Sequence, residues 1–137
     1  MSFSGQSIAI TGGSSGLGLH LAKAFSQQGA RVALMARDGD RLKEAESTCG
    51  NGTLTFPGDV TSEADCKEFI EAVTAKFDGL DHLIANAGLS MWARFEDVED
   101  LALYRRLLEV NYLGIVHCVH PALPALKKSR GQVVVIS

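Results

Sequence analysis

The sequence predicts an α/β fold, a doubly wound parallel sheet with helices on both faces. Two observations carry this. Short apolar runs rich in Val, Ile and Leu alternate with longer segments whose apolar residues recur three and four positions apart. The segments between the runs are helical and long enough to be the crossovers that parallel pairing requires, whereas antiparallel neighbours need only a tight turn. At 137 residues, 46% of them hydrophobic, the chain can bury one core, and no repeat, low-complexity tract or linker divides it. Residues 1–137 are therefore read as one domain.

Taken in order, Ser7 to Thr11 is the first strand and Leu17 to Gln28 the first helix. Arg31 to Met35, Thr53 to Phe56 and His82 to Ala85 are the next strands, with helices at Asp40 to Thr48 and Ser62 to Phe77 between them. Val98 to Lys127 is a long helical segment in which Pro121 and Pro124 are expected to kink or end the helix, because proline lacks the N–H and clashes with the preceding turn. Gln132 to Ile136 closes the chain as a continuous apolar strand, suited to the inside of a parallel sheet and not to its edge.

Several function classes are disfavoured. The formal net charge is −3 and the charges are dispersed, so no basic stripe invites nucleic acid. No apolar run approaches the ~20 residues of a membrane helix, and "MSFSGQS" lacks the basic and hydrophobic regions of a signal segment, so the chain reads as cytoplasmic. Cys49, Cys66 and Cys118 are odd in number and widely spaced, which fits neither a disulfide framework nor a zinc set and reads as reduced thiols. His117 and His120 flank Cys118 without a third ligand cluster, so no metal is expected and packing explains them better.

The stretch "TGGSSGLG" at residues 11–18 lies between the first strand and the first helix. Glycines there let the chain turn tightly, let backbone approach a pyrophosphate and let helix and strand pack closely, while the helix start offers free N–H groups to phosphate. The spacing of Gly12, Gly16 and Gly18 differs from G-x-G-x-x-G. Leu19 follows Gly18, where a nucleoside-triphosphate loop would carry Lys and then Ser or Thr. Alone, the stretch also reads as a plain turn.

Together with "GDV" at Gly58 to Val60, "NAG" at Asn86 to Gly88, Asn111 in "EVNYLG" and the closing "VVVIS", it occurs in an order and spacing that resemble the short-chain dehydrogenase/reductase family, most closely its NADP-using classical branch. The resemblance covers essentially the whole chain. It implies a Rossmann-like NAD(P)-binding domain of an oxidoreductase that moves hydride between NADP(H) and a small carbonyl or alcohol substrate. It implies that Gly12, Ser14, Ser15, Gly16, Leu17 and Gly18 form the cofactor loop, that Asp59 accepts from the adenine amino group with Val60 lining the ring, and that Asn86, Ala87 and Gly88 border the ribose. An isolated Asp59 reads equally as a cap for the helix starting near Thr61 or Ser62. Asn86 also reads as a turn residue in a left-handed conformation. Met91, Trp92 and Phe95 lie in the region that borders the substrate cleft in the family, and read equally as core packing or as a helix-entry contact.

Cofactor choice rests on "ARVALMARD". NAD enzymes place an acid at the end of this strand to accept the ribose hydroxyls. Here Ala36 takes that place and Arg37 follows, a residue that holds a 2′-phosphate with forked charge-assisted bonds. Ser14 could add a hydroxyl, and Asp38 could instead pair with Arg37. NADP is expected ahead of NAD.

The resemblance assigns Asn111 to the proton relay, where it keeps a water in place. It also implies a general-acid tyrosine followed four residues later by lysine. That spacing is absent, since Tyr104 is followed by Leu108 and Tyr112 by Val116. Ser137 matches the first of the family's serine pair, not the catalytic second. The expectation is an N-terminal portion of a longer enzyme, with further strands and the Tyr-x-x-x-Lys segment beyond residue 137, inactive alone. The runner-up is a catalytically inactive NADP(H)-binding or redox-sensing module, with a different Rossmann-like enzyme such as a methyltransferase third. A homo-dimer or homo-tetramer through the long helix is a further implication of the resemblance.

Overall fold

The computed structural model describes residues 2–50 and 52–137. Five parallel strands form one sheet in the order β3-β2-β1-β4-β5. They are β1 (Ser7–Thr11), β2 (Arg31–Ala36), β3 (Leu54–Pro57), β4 (His82–Ala85) and β5 (Gln132–Val135). The helices are α1 (Gly16–Gln27), α2 (Gly39–Cys49), α3 (Glu63–Phe77), α4 (Ala102–Leu108) and α5 (Gly114–Ser129), with a π turn at Glu109–Leu113 joining the last two. The chain winds outward from β1 through β2 to β3, then returns to lay β4 on the other side of β1. That reversal opens a crevice beyond the carboxyl ends of β1 and β4, the place where open α/β sheets bind ligands.

Strand alternation divides the core into two layers. Ile8, Ile10, Val32, Leu34 and Ile84 point to one face and pack with Ala22 of α1 and Leu42 and Ala45 of α2. Ala9, Ala33, Met35 and Leu83 point to the other, under Phe69 and Val73 of α3 and Cys118 and Ala122 of α5. A side chain of Leu or Phe size contributes about 1.5–3 kcal/mol when buried, so each layer holds its helices without help from surface charges. The Sγ atoms of Cys66 and Cys118 meet at 3.2 Å in the second layer. The hydrogen bond with Cys66, followed by burial, pushes the Cys118 thiol well above its ordinary range.

One expectation is corrected, that the prolines would end the long helix. Pro121 and Pro124 lie inside α5, which runs on to Ser129. Each removes a bond to the carbonyl four residues back, at His117 and His120. Cys118, Ala122 and Leu126 nevertheless form a buried stripe along the helix, and their packing on α3 and the sheet outweighs that loss. The strand from Gln132 has, as expected, a neighbour on one side only among the described residues. It pairs with β4 alone, and Val133, Val134, Val135 and Ile136 keep 39, 42, 45 and 37% exposure. Smaller shifts occur at boundaries: β2 gains Ala36, and Thr53 leaves β3 to bond its hydroxyl to the Gly50 carbonyl.

The opposite, amino end of the sheet is locked by Asp81. Its Oδ2 accepts from the Ser7 N–H at 2.8 Å and the Ser7 hydroxyl at 3.0 Å, while its own N–H reaches the Ser7 carbonyl at 3.0 Å. Ser7 is 1% exposed, so its N–H has no water to turn to. Asp81→Ala is expected to lower unfolding free energy by about 1–3 kcal/mol, the desolvation penalty of the orphaned donor, with Asp81→Asn losing less. Urea unfolding of both variants checks this.

Candidate functional site

At the crevice the ends of β1 and β4 are laced by two side chains. The Thr11 hydroxyl accepts from the N–H groups of Asn86 and Ala87, both at 3.1 Å. The Asn86 amide donates to the carbonyls of Thr11 and Gly12, again at 3.1 Å. Asn86 has no positive φ, so the left-handed turn reading is wrong for it. It is a staple between strand end and glycine loop.

Two glycines of the loop are explained by this close approach. Gly12 turns with φ +66°, its N–H donates to the Met35 carbonyl at 2.8 Å, and a Cβ there would lie 2.9 Å from the Ala87 Cα. A Cβ on Gly18 would overlap the Gly12 carbonyl oxygen and lie 2.6 Å from Asn86 Nδ2. Gly16 has φ +54° with open space around it, so conformation alone favours glycine there. The helix N-cap is Ser15, whose side chain makes no capping bond, leaving the first N–H groups of α1 without a side-chain partner.

A cleft of about 570 Å³ opens beside this loop. Gly12, Ser14 and Ser15 line one part, Arg37 the end of β2, Asp59 and Val60 the turn after β3, and Ala87 and Gly88 the turn after β4. These are predicted site residues drawn from four separate stretches. Gly16, Leu17 and Gly18 form the first turn of α1 and do not line the cleft, and Asn86 stands behind it. Asn111 is also outside the lining. Within the π turn, its amide donates to the Leu89 carbonyl at 2.7 Å and accepts from the Leu89 N–H at 2.8 Å, fixing the loop after Gly88.

Charge is arranged asymmetrically. Asp38 does not pair with Arg37. It caps α2, accepting from the N–H groups of Asp40 and Arg41 at 3.0 and 3.1 Å, and its other oxygen faces Arg41 Nε at 3.7 Å. Among the described residues no carboxylate comes within ion-pair distance of Arg37. Asp59 is not the cap of α3 either; Ser62 is, through Asp65 N–H at 3.1 Å. Oδ1 of Asp59 accepts from the N–H and hydroxyl of Thr61, both at 2.9 Å, and Oδ2 takes no protein hydrogen bond among the described residues. Partial burial raises the carboxyl pKa, but the two Thr61 bonds and the charges of Arg37 and Arg106 together bring it below the ordinary value. Val60 is held from behind: its carbonyl accepts from His117 Nδ1 at 2.8 Å and Cys66 Sγ at 3.6 Å.

Sequence reasoning left Thr11, Arg106 and His117 without site roles. Thr11 had a signal as the first residue of the glycine motif. Arg106 and His117 had none, because only the packing of the long helix brings them to the turn after β3. Trp92 and Phe95 are not core residues, at 99 and 79% exposure, and the Phe95 ring meets only Tyr104, at 5.8 Å, among the aromatic rings described. The arrangement as a whole offers backbone donors and a guanidinium to anionic groups, and an open carboxylate oxygen to an amino-bearing base.

Known proteins are similar to this chain in sequence and in fold. A family model described as short chain dehydrogenase matches residues 6–137. The 11-beta-hydroxysteroid dehydrogenase-like 2 of Arabidopsis thaliana is 40% identical over 137 residues, covering 97% of this chain and 44% of that protein. The L-fucose dehydrogenase of Mus musculus is 38% identical, covering 98% and 49%. Among solved structures, the 3-ketoacyl-(acyl-carrier-protein) reductase from Brucella melitensis, complexed with NADH, superposes with a TM-score of 0.92 at 28% identity, covering 99% of this chain and 58% of that one. The chain thus spans about half the length of the curated relatives it matches.

Two outcomes are expected from the geometry. Gly18→Ala should destabilise the fold by roughly 1–3 kcal/mol, since the methyl group meets backbone that cannot step aside, whereas Gly16→Asn should be tolerated; thermal melting separates the two. The Asp59 carboxyl should titrate below its ordinary value of 3.8, so its contribution to stability is fully present above that pH and is lost as pH falls through the lower folded-state value. Carboxyl-carbon NMR titration reads this directly, and Arg37→Ala should move the midpoint upward.

Proposed function

The chain belongs to the short-chain dehydrogenase family, and on that premise we propose that it supplies the cofactor-binding part of an oxidoreductase that moves hydride between NADP(H) and the carbon of a small carbonyl or alcohol. The cofactor class is nicotinamide dinucleotide. The Brucella melitensis neighbour was solved with NADH, and the residues present here fit such a group: a glycine and serine loop lining the cleft, a helix start without a side-chain cap and an open carboxylate oxygen. When bound, the cofactor supplies or takes up the hydride.

In this reading the loop at Gly12 to Gly18 and the first turn of α1 hold the diphosphate, with Ser14 and Ser15 adding hydroxyls. Asp59 accepts from the adenine amino group through Oδ2, and Val60 lies under the ring. Backbone at Asn86, Ala87 and Gly88 borders the ribose. Asn111 fixes the Leu89 loop and serves the proton relay. Neither tyrosine in the sequence has a lysine four residues on, so proton transfer at the substrate oxygen is assigned to residues outside these 137. The exposed apolar residues Leu108, Tyr112, Val116 and Leu123 along the long helix support self-association as a homo-dimer or homo-tetramer.

The observation that carries NADP over NAD is the pair Ala36 and Arg37. The strand end that would need an acid for NAD has a methyl group instead, and the next residue is an arginine on the cleft with no carboxylate partner among the described residues. Titration of the full protein with both cofactors tests it. NADPH should bind more tightly than NADH. Arg37→Asp should weaken NADPH roughly 10- to 100-fold, the worth of a charged hydrogen bond, and should reverse the preference. Equal affinities in the parent, or an unchanged ratio in the variant, would remove Arg37 from this role.

A further inference from the structure

Arg106 reaches the cleft from α4, on a wall it shares with Leu89 and Val110, and it faces the turn that carries Asp59 and Val60. Three other arginines are committed. Arg31 donates to the Phe77 carbonyl at 2.6 Å, Arg41 pairs with Asp38, and Arg94 pairs with Glu96 and Asp97. Arg106 has no side-chain hydrogen bond or ion pair among the described residues, although its charge is felt by Asp59. The Arg106 and Asp59 side chains stay beyond 4.0 Å of each other, and both line the cleft.

Resting on the cofactor reading above, we propose that Arg106 clamps the base: its planar guanidinium stacks on the purine whose amino group is bound by Asp59. The surroundings favour a ring over a phosphate. Val60, Leu89 and Val110 make this part of the cleft apolar, whereas the backbone donors and hydroxyls suited to phosphate lie at the glycine loop. A guanidinium is weakly hydrated and flat, so it covers an aromatic face that an ammonium does not match. Asp59 adds a second effect, because its negative charge draws the guanidinium toward the base end of the cleft.

The test is calorimetric binding by the full protein, with adenosine, NADPH and reduced nicotinamide mononucleotide as probes, at two salt concentrations. Arg106 is exposed, so Arg106→Ala should melt as the parent does. It should weaken adenosine and NADPH by the same factor, roughly 2- to 30-fold, with little salt dependence, and leave the mononucleotide unchanged. Arg106→Lys should recover little of the loss. Unchanged adenosine binding in Arg106→Ala overturns the clamp while leaving the cofactor reading intact. A loss confined to NADPH, restored by lysine and erased by salt, also overturns it, because it would mark Arg106 as a phosphate-attracting charge. A parent that binds neither adenosine nor NADPH overturns the cofactor reading itself, and the clamp with it.

Discussion

The lacing of β1 to β4 by Thr11 and Asn86 is the constraint on which the site depends. Four hydrogen bonds, all at 3.1 Å, tie Thr11 at the end of one strand, and Gly12 just beyond it, to the first residues beyond the other. Thr11 is 2% exposed, so its hydroxyl depends on these partners and not on water. The glycine loop must then pass so near Ala87 and Asn86 that Gly12 and Gly18 have no room for a side chain. The tight loop in turn leaves the start of α1 facing the crevice. A local pairing of two side chains thereby sets the position of the backbone donors.

The long helical segment brings a second group of residues to the same crevice. Arg106 of α4, Asn111 of the π turn and His117 of α5 act on three neighbouring pieces of the wall: the space by Asp59, the Leu89 loop and the Val60 carbonyl. A π turn inserts extra backbone into a helix, so the faces of α4 and α5 are rotated relative to each other. That allows Asn111 to face Leu89 while Cys118, Ala122 and Leu126 keep their buried stripe against α3 and the sheet. Gly114 contributes to the same fit, since a Cβ there would lie 2.8 Å from Val60 Cγ2.

Electrostatic roles near the cleft are set by which hydrogen bonds are already taken. Asp38 commits its carboxylate to the start of α2 and to Arg41, which leaves Arg37 uncommitted. Asp59 is satisfied on one oxygen by Thr61 and keeps the other for a ligand. Because Asp59 is also influenced by Arg37 and Arg106, the carboxylate form is favoured, which suits an acceptor and not a donor. These are exposed or half-exposed groups, so their value lies in orienting a ligand and not in holding the fold together.

By itself the sequence determined the alternation of strands and helices, the parallel winding and the family. Strand period, helix period and the glycine spacing are local properties, expressed over a few neighbouring residues and legible wherever they occur. It also marked Gly12, Ser14, Ser15, Arg37, Asp59, Val60, Ala87 and Gly88, which the fold gathers on one cleft. Asp38 settles a local choice, taking the helix start beside it over its neighbour Arg37. Tertiary structure alone decided what Pro121 and Pro124 do: they remain in α5 because buried packing on the same helix exceeds the bonds they remove. It alone brought Arg106 and His117 to the turn after β3, more than forty residues away in the chain. The physical reason is that such contacts are set by how helices dock on the sheet, and docking depends on the shapes of surfaces assembled from distant segments.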